Sequence, residues 1–242
     1  MDELHLALSP TEIGRIVGFL GYGRTSAPVW FIGLEEGLGK MNSDDTIKNL
    51  KARASFDETM DLREAHLRLV EKGRPIDIEM NPPNTQVWKY MAKIMVAISG
   101  GDWKNRRSVN EYIRFRLGRV SGETFLTELS PIPSRKVRER TWRELFEKLD
   151  PELEENIERR TTRLKQVARE NTSSLIICYG TKRAGDFEEI LGVRWHDATA
   201  QIRMSQEGRY LLLPFFGNGQ MSHSVIGGLI SKGLLTLEAG RP

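Results

Sequence analysis

Residues 28 to 40 read P-V-W-F-I-G-L-E-E-G-L-G-K. The uninterrupted apolar run Val29, Trp30, Phe31, Ile32 predicts a strand buried on both faces, and it breaks on Gly33 into a glycine-punctuated loop holding two adjacent carboxylates, Glu35 and Glu36. In an open α/β sheet, ligands bind outside the carboxyl ends of the strands, where such a loop lies. Glycines at 33, 37 and 39 allow sharp turns and close backbone approach to a ligand, and either carboxylate has the chemistry of a base or water-positioner. The same residues also make an ordinary structural turn, and the rest of the chain must separate the two.

A chain of 242 residues can bury one substantial core, which predicts a single α/β domain over residues 1–242. Hydrophobic residues make up 39% and charged residues 29%, an ordinary globular balance. Lysine and arginine exceed aspartate and glutamate by only 3, so any nucleic-acid argument must come from where the basic residues lie. The single cysteine, Cys178, sits in an apolar run and has no intrachain partner, which points to a reducing compartment. No leader-like apolar segment or bilayer-length run occurs, so a cytoplasmic protein without membrane contact is expected.

Ser9-Pro-Thr-Glu12 is a capping box with proline at the first helical position, predicting a helix to about Phe19. After the strand at 28–33, residues 42–83 are highly charged and read as a helical insertion closed by Gly73, Pro75, Pro82 and Pro83. Val87, Met91, Ile94, Met95 and Ile98 recur at helical spacing behind Asn84 as cap, a core stripe. A second capping box, Ser108 to Glu111, opens another helix. Residues 124–129 (T-F-L-T-E-L) predict a second buried strand, delivering Glu128 and then Ser130-Pro-Ile-Pro-Ser-Arg-Lys136. Trp142, Leu145, Phe146 and Leu149 mark a short amphipathic helix, and residues 151–170 a long charged one, whose Arg159, Arg160, Arg163 and Lys165 read as a solvated face.

Residues 174–179 (S-L-I-I-C-Y) form the third strand, with a helix from Thr181 to Leu191 beyond Gly180. Gln206-Glu-Gly208 reads as a hairpin turn, and the last strand, 210–216, runs into Gly217-Asn-Gly-Gln-Met-Ser-His223 before a final helix capped by Ser222 or Ser224. Strands alternating with helices predict a three-layer α/β/α sandwich around a central, mostly parallel four-stranded sheet. Three strand ends then converge on one edge.

Several chemistries lack their motif. There is no G-x-x-x-x-G-K-S/T, no G-x-G-x-x-G after a strand and no Cys/His cluster at metal-ligand spacing. His5, His66, His196 and His223 are scattered, and Cys178 reads as a buried, inert thiol.

G-L-E-E-G (33–37), F-L-T-E-L-S-P-I-P-S-R (125–135) and L-P-F-F-G-N-G-Q-M-S-H (213–223) resemble, in order and spacing, the motifs of the uracil-DNA glycosylase superfamily. L-I-I-C-Y-G-T-K-R-A (175–184) is similar to the strand before the last of them. The resemblance spans about residues 28 to 230. It implies a compact α/β/α fold, no metal or cofactor, a double-stranded DNA partner and a monomer that hydrolyses the base–deoxyribose bond of a flipped-out nucleotide. The water-activating Asp or Asn of the first motif falls on Glu35. Glu36 stands where the family usually has proline, so the two glutamates exchange as catalytic candidates, with Gly33, Leu34 and Phe216 around the base.

Glu128 replaces the Asn with which uracil-specific members read the pyrimidine edge. An ionised carboxylate only accepts hydrogen bonds, so it suits cytosine N4 and opposes uracil O4. A structural glutamate paired with a nearby arginine is the competing reading. Asn218-Gly-Gln-Met-Ser222 looks like the Asn-led version of the mismatch-specific branch, with Asn218 near the base or leaving oxygen and Met221 or His223 as the wedge filling the vacated stack. A glycine loop capping the last helix is its alternative. Ser134, Arg135 and Lys136, with Gln220 and Ser222, are expected to face DNA, helped by Lys104, Arg106, Arg107 and Lys182.

The resulting expectation is a DNA glycosylase acting on a modified cytosine, such as the hypermodified cytosines of some phage genomes. The alternatives are a uracil or mismatch glycosylase, a non-catalytic DNA-binding module of the same fold, and an α/β enzyme acting on free nucleotides.

Overall fold

Residues 8–37, 43–134 and 141–235 are described by the computed structural model of the chain. Helix α1 (Pro10–Gly18) starts as its capping box dictates: the Glu12 amide donates to Ser9 Oγ and the Ser9 amide to the Glu12 carboxylate at 2.7 Å. The strands follow as β1 (Gly21–Tyr22) and β2 (Val29–Gly37), then helix α2 (Ser43–Arg53), strand β3 (Thr59–Met60), helix α3 (Leu62–Arg68) and the small hairpin β4 (Val70–Glu71) and β5 (Arg74–Pro75). The segment read as a helical insertion thus carries two helices and three short strands, one of which joins the main sheet.

Helices α4 (Gln86–Ile98) and α5 (Arg106–Phe115) come next. Their caps differ from the sequence reading by a residue or more. Thr85, not Asn84, accepts the Trp88 amide, and Asn105, not Ser108, accepts from Arg107 and Ser108. Both are good N-cap types, and side-chain geometry chose between neighbours that composition leaves equivalent. Strand β6 (Thr124–Ser134), helices α6 (Thr141–Leu149) and α7 (Leu153–Glu170), strand β7 (Leu175–Tyr179), a 3-10 turn at Thr181–Arg183 and helix α8 (Ala184–Leu191) lead to β8 (Trp195–Asp197), β9 (Arg203–Ser205), β10 (Tyr210–Leu213) and α9 (His223–Ser231).

The main sheet has eight strands in the order β3-β1-β6-β2-β7-β10-β9-β8, not the four expected. The four long apolar strands form its parallel centre, β6-β2-β7-β10. The additional strands are two or three residues each, too short to show a period of two in the sequence. β1 joins β6 antiparallel and β3 joins β1 in parallel, while β9 and β8 extend the opposite edge antiparallel.

Alternation splits the core between the two faces of the sheet. Val29, Phe31, Leu126, Ile177 and Leu211 face α4, α5 and α9, whereas Trp30, Ile32, Phe125, Ile176 and Leu212 face α7 and α8. Helices therefore cover both faces. Trp30 is fully buried and keeps its indole N–H satisfied by donating to the Ala27 carbonyl at 3.1 Å.

Two strands run further than their sequences predict. β2 continues through Glu35 and Glu36 to Gly37, and β6 continues through Ser130-Pro-Ile-Pro to Ser134, paired as Gly33 with Glu128, Glu35 with Ser130 and Gly37 with Ser134 across a bulge. Residues 33–37 of the predicted catalytic loop are therefore strand, and residues 38–40 lie outside the described residues. Gly and Pro read as breakers, but β1 meets β6 only at Leu126 and Thr127, so Pro131 and Pro133 fall past that pairing, where the far side of β6 is an edge and proline is tolerated. Ile132 anchors the extension in a separate apolar cluster with Ile13, Ile16, Leu50 and Phe146.

Candidate active site

From β2 the chain crosses to β6 on one side and then to β7 and β10 on the other. β2 is thus the switch point of the parallel sheet, and its carboxyl end is where an α/β fold offers a crevice. Gly33 lies there, in register with Glu128 on β6. A Cβ at Gly33 would fall 1.9 Å from Glu128 Oε2 and 2.4 Å from the Tyr179 hydroxyl at the end of β7. The volume a side chain would fill is taken by the Glu128 carboxylate. Tyr179 donates to Glu128 Oε1 at 2.9 Å, so three adjacent strands build one polar centre.

Tyr179 is held from behind. Phe216 stacks on its ring with centroids 4.5 Å apart, and Phe216 itself packs against Phe31 and Tyr90. Glu35 is half-buried and stands two residues beyond Gly33, on the face of the sheet that Glu128 and Ser130 share. For Glu36 and Ser134 the description is of backbone, on β2 and β6. Arg135 and Lys136 lie outside the described residues.

Beneath this centre, between the sheet and helices α1, α3 and α4, is a cavity of about 80 Å³. Its polar lining includes Thr127, Glu128, Ser130, Arg53 and Arg160. Phe19, Tyr22, Trp88 and Tyr179 supply the aromatic wall. His66 braces two of these rings, 5.9 Å from Tyr22 and 5.1 Å from Trp88, with its Nδ1 2.8 Å from the Leu62 carbonyl. The carbonyl can only accept, so Nδ1 carries a proton.

Arg160 corrects the sequence reading of a solvated face. It is buried because it falls on the core stripe of α7 with Leu153, Leu164 and Val167. Its guanidinium donates to the carbonyls of Phe19 at 2.9 Å, Glu128 at 2.7 Å and Leu129 at 3.1 Å. Burial pulls its pKa down to about 10, against the opposing pull of Glu128, so it remains a cation at neutral pH. The cation fixes the backbone that carries Glu128.

The other expected site residues are distributed unevenly. Leu34 packs on the α7–α8 face of the sheet and against Gly180, away from the cavity. Phe216 is buried behind Tyr179, and Met221 is 3% exposed in the core, where it cannot serve as a wedge. Asn218 and Gly219 have φ of 53° and 69° and sit between Gly217 and Gln220, whose amide donates to the Gly217 carbonyl at 3.2 Å. Asparagine is among the few residues at ease in that left-handed conformation, which gives Asn218 a backbone reason for its identity. Asn218 and Gln220 are exposed at the tip of this turn. Ser222 precedes α9 without capping it, its hydroxyl instead 2.7 Å from that of Ser224, and His223 is exposed with Nε2 2.7 Å from Lys93 Nζ. Lys104, Arg106 and Arg107 lie at or before the start of α5, and Arg107 pairs with Glu111.

Sequence reasoning missed Tyr179, Arg53, Tyr22, Trp88 and Thr127. Tyr179 had a signal, a polar-tipped ring ending an apolar strand just before glycine. The others come from elements whose contact with β6 no local pattern records. Among the described residues no group of three or more His, Cys, Asp or Glu side chains is arranged to hold a metal, and no helix is long and apolar enough to cross a membrane. Cys178 is fully buried, and burial raises its thiol pKa well above the ordinary value. Comparison with protein-family models, curated proteins and solved structures finds no match for this chain.

Proposed function

We propose that this chain is a DNA glycosylase that flips a modified base, foremost a modified cytosine, out of duplex DNA and hydrolyses its N-glycosidic bond, leaving an abasic site. The observation that carries the reading is the pairing of Gly33 with Glu128 at the switch point of the sheet, which sets a carboxylate held by Tyr179 over a part-aromatic cavity, with Glu35 two residues away on the same face. In this reading the aromatic wall takes the flipped base and Glu128 accepts from an exocyclic amine. Glu35 orients a water toward the anomeric carbon. The water oxygen bonds to C1′, the C1′–N bond breaks with its electron pair leaving on the base, and the water proton passes to Glu35. The positive charge developing on the sugar is stabilised by the same carboxylate.

Met221 is buried and His223, the other wedge candidate, is exposed, so in this reading the vacated stack is filled from His223 or the adjoining exposed turn at Asn218–Gln220. Ser134, Arg135 and Lys136 remain the proposed phosphate contacts at the end of β6, and the protein is read as a cytoplasmic monomer. The test is incubation with duplexes carrying uracil, 5-hydroxymethylcytosine or its glucosylated form, followed by alkaline strand cleavage at abasic sites. Cleavage confined to modified cytosine supports the proposal. Cleavage of uracil alone reassigns the base, binding without cleavage reassigns the chain as a DNA-binding module, and base release from free nucleosides or nucleotides alone places it outside DNA chemistry.

A further inference from the structure

Beside the exposed turn lies a basic cluster that neither base recognition nor hydrolysis uses. Lys93 on α4 approaches His223, the first residue of α9, with Nζ 2.7 Å from Nε2. Lys104, from the connection between α4 and α5, lies over the Trp103 ring at 5.3 Å, and that ring meets the His223 ring edge-on at 5.3 Å. Lys89 stands one turn before Lys93. Ser222 and Ser224, whose hydroxyls pair at 2.7 Å, flank His223 in the chain, and the Tyr90 ring lies 5.0 Å from Lys93 Nζ.

Among the described residues, the charges that act on the pair are positive. Lys89 bears on Lys93, and Lys93 and Lys104 bear on His223. An ammonium at 2.7 Å donates to Nε2, so His223 is neutral with its proton on Nδ1. Gathering such groups raises the energy of the free protein, and an anion relieves it. We infer that Lys93, Lys104 and His223 form a proton-linked site for a backbone phosphodiester of nucleic acid, in which His223 takes up a proton from solvent as the phosphate arrives. The Lys93–His223 hydrogen bond then opens, and both groups donate to phosphate oxygens. The inference rests on the proposed function for the identity of the polymer, but not on base excision.

Lys93 foremost, then burial and Lys104, hold the His223 pKa below its ordinary value of 6.5. Phosphate counteracts the repulsion and raises it. Duplex affinity therefore rises as pH falls from about 7.5 to 5.5, while the free protein loses the stability contributed by neutral His223 as pH falls below 6.5 toward the folded pKa.

The test uses an unmodified 14-base-pair duplex, which offers no base to excise, and the histidine resonances of the full chain, with His223 assigned by its loss in His223→Gln. The duplex should raise the His223 pKa by one pH unit or more, corresponding to about a tenfold gain in affinity at low pH. His223→Gln should lose that gain while still folding. Lys93→Ala should raise the His223 pKa of the free protein and reduce the slope of log affinity against log salt by about 1. A His223 titration that the duplex leaves unmoved, a wild-type affinity independent of pH, or no duplex binding overturns the inference. A response to orthophosphate without one to duplex overturns it also, assigning the site to a free phosphate. Failure of base excision leaves all these readouts standing, so the two proposals fail separately.

Discussion

Gly33→Ala is a one-carbon change at the centre of the site. Gly33 is not among the glycines with left-handed backbone and lies in a paired strand, so glycine is required there for space rather than conformation. The new Cβ would stand 1.9 Å from Glu128 Oε2, where 3.0 Å is the closest that real contacts approach, so the carboxylate must withdraw by about 1.1 Å. Tyr179 must also retreat, because its hydroxyl lies 2.4 Å from the same point. Their 2.9 Å hydrogen bond does not survive both movements. Loss of a hydrogen bond to a charged group costs about 1.5–3 kcal/mol, and replacing a strand glycine returns roughly 0.5–1 kcal/mol. A net loss of about 1–2 kcal/mol lowers Tm by roughly 2–8 °C in a chain of this size, measured by calorimetry. Because misplacing a group that positions the substrate by about 1 Å costs on the order of 100-fold in rate, base release should fall further than stability. In the double variant Gly33→Ala/Glu128→Ala the new methyl enters vacated space, so the two losses should be less than additive. Strict additivity, or a Gly33→Ala protein as stable and active as the parent, refutes the reasoning.

Arg160→Met keeps the volume but leaves the carbonyls of Phe19, Glu128 and Leu129 without their donor, and should cost roughly 3–5 kcal/mol in denaturant unfolding. An effect within about 0.5 kcal/mol, the range of surface changes, would restore the solvated reading. Tyr179→Phe keeps the ring on Phe216 but removes the donor to Glu128, so it should cost about 1–2 kcal/mol of stability and lower kcat with little change in KM, read from unfolding and steady-state base release. Ser9→Ala should cost about 1 kcal/mol at neutral pH. Its partner Glu12 is held below its ordinary carboxylate pKa of 4.5 by the Ser9 amide and hydroxyl, so the contribution is full above 4.5 and fades as pH falls through the lowered folded value, seen as converging melting curves of the two proteins in acid.

The parallel centre of the sheet was legible because Val29 to Ile32, Phe125 to Leu126 and Leu175 to Cys178 are continuous apolar runs, which only strands covered on both faces need. Its edges were not, since two-residue strands such as β1 and β3 are defined by their partners rather than by pattern. The loop expected at Gly33 failed for a related reason: glycine and proline mark breaks in isolated chain, but the pairing of β2 with β6 supplies hydrogen bonds that hold those residues extended. Glu128 was singled out because it stands where the resemblance puts a base-reading asparagine, and the structure sets it opposite Gly33. Arg160 was not, because a charge within a charged helix is inconspicuous until its phase relative to Leu164 and Val167 is followed. The wedge was left between Met221 and His223, near neighbours in one loop, and packing against the core removes Met221.

Glu35 carries the chemistry in this account, and its removal without change of shape tests that most directly. Single-turnover release of base from a duplex containing 5-hydroxymethylcytosine or its glucosylated form should fall by at least about 100-fold in Glu35→Gln, while duplex affinity and Tm stay near those of the parent. Undiminished release by Glu35→Gln, or no release by the parent protein from any of the duplexes, contradicts it.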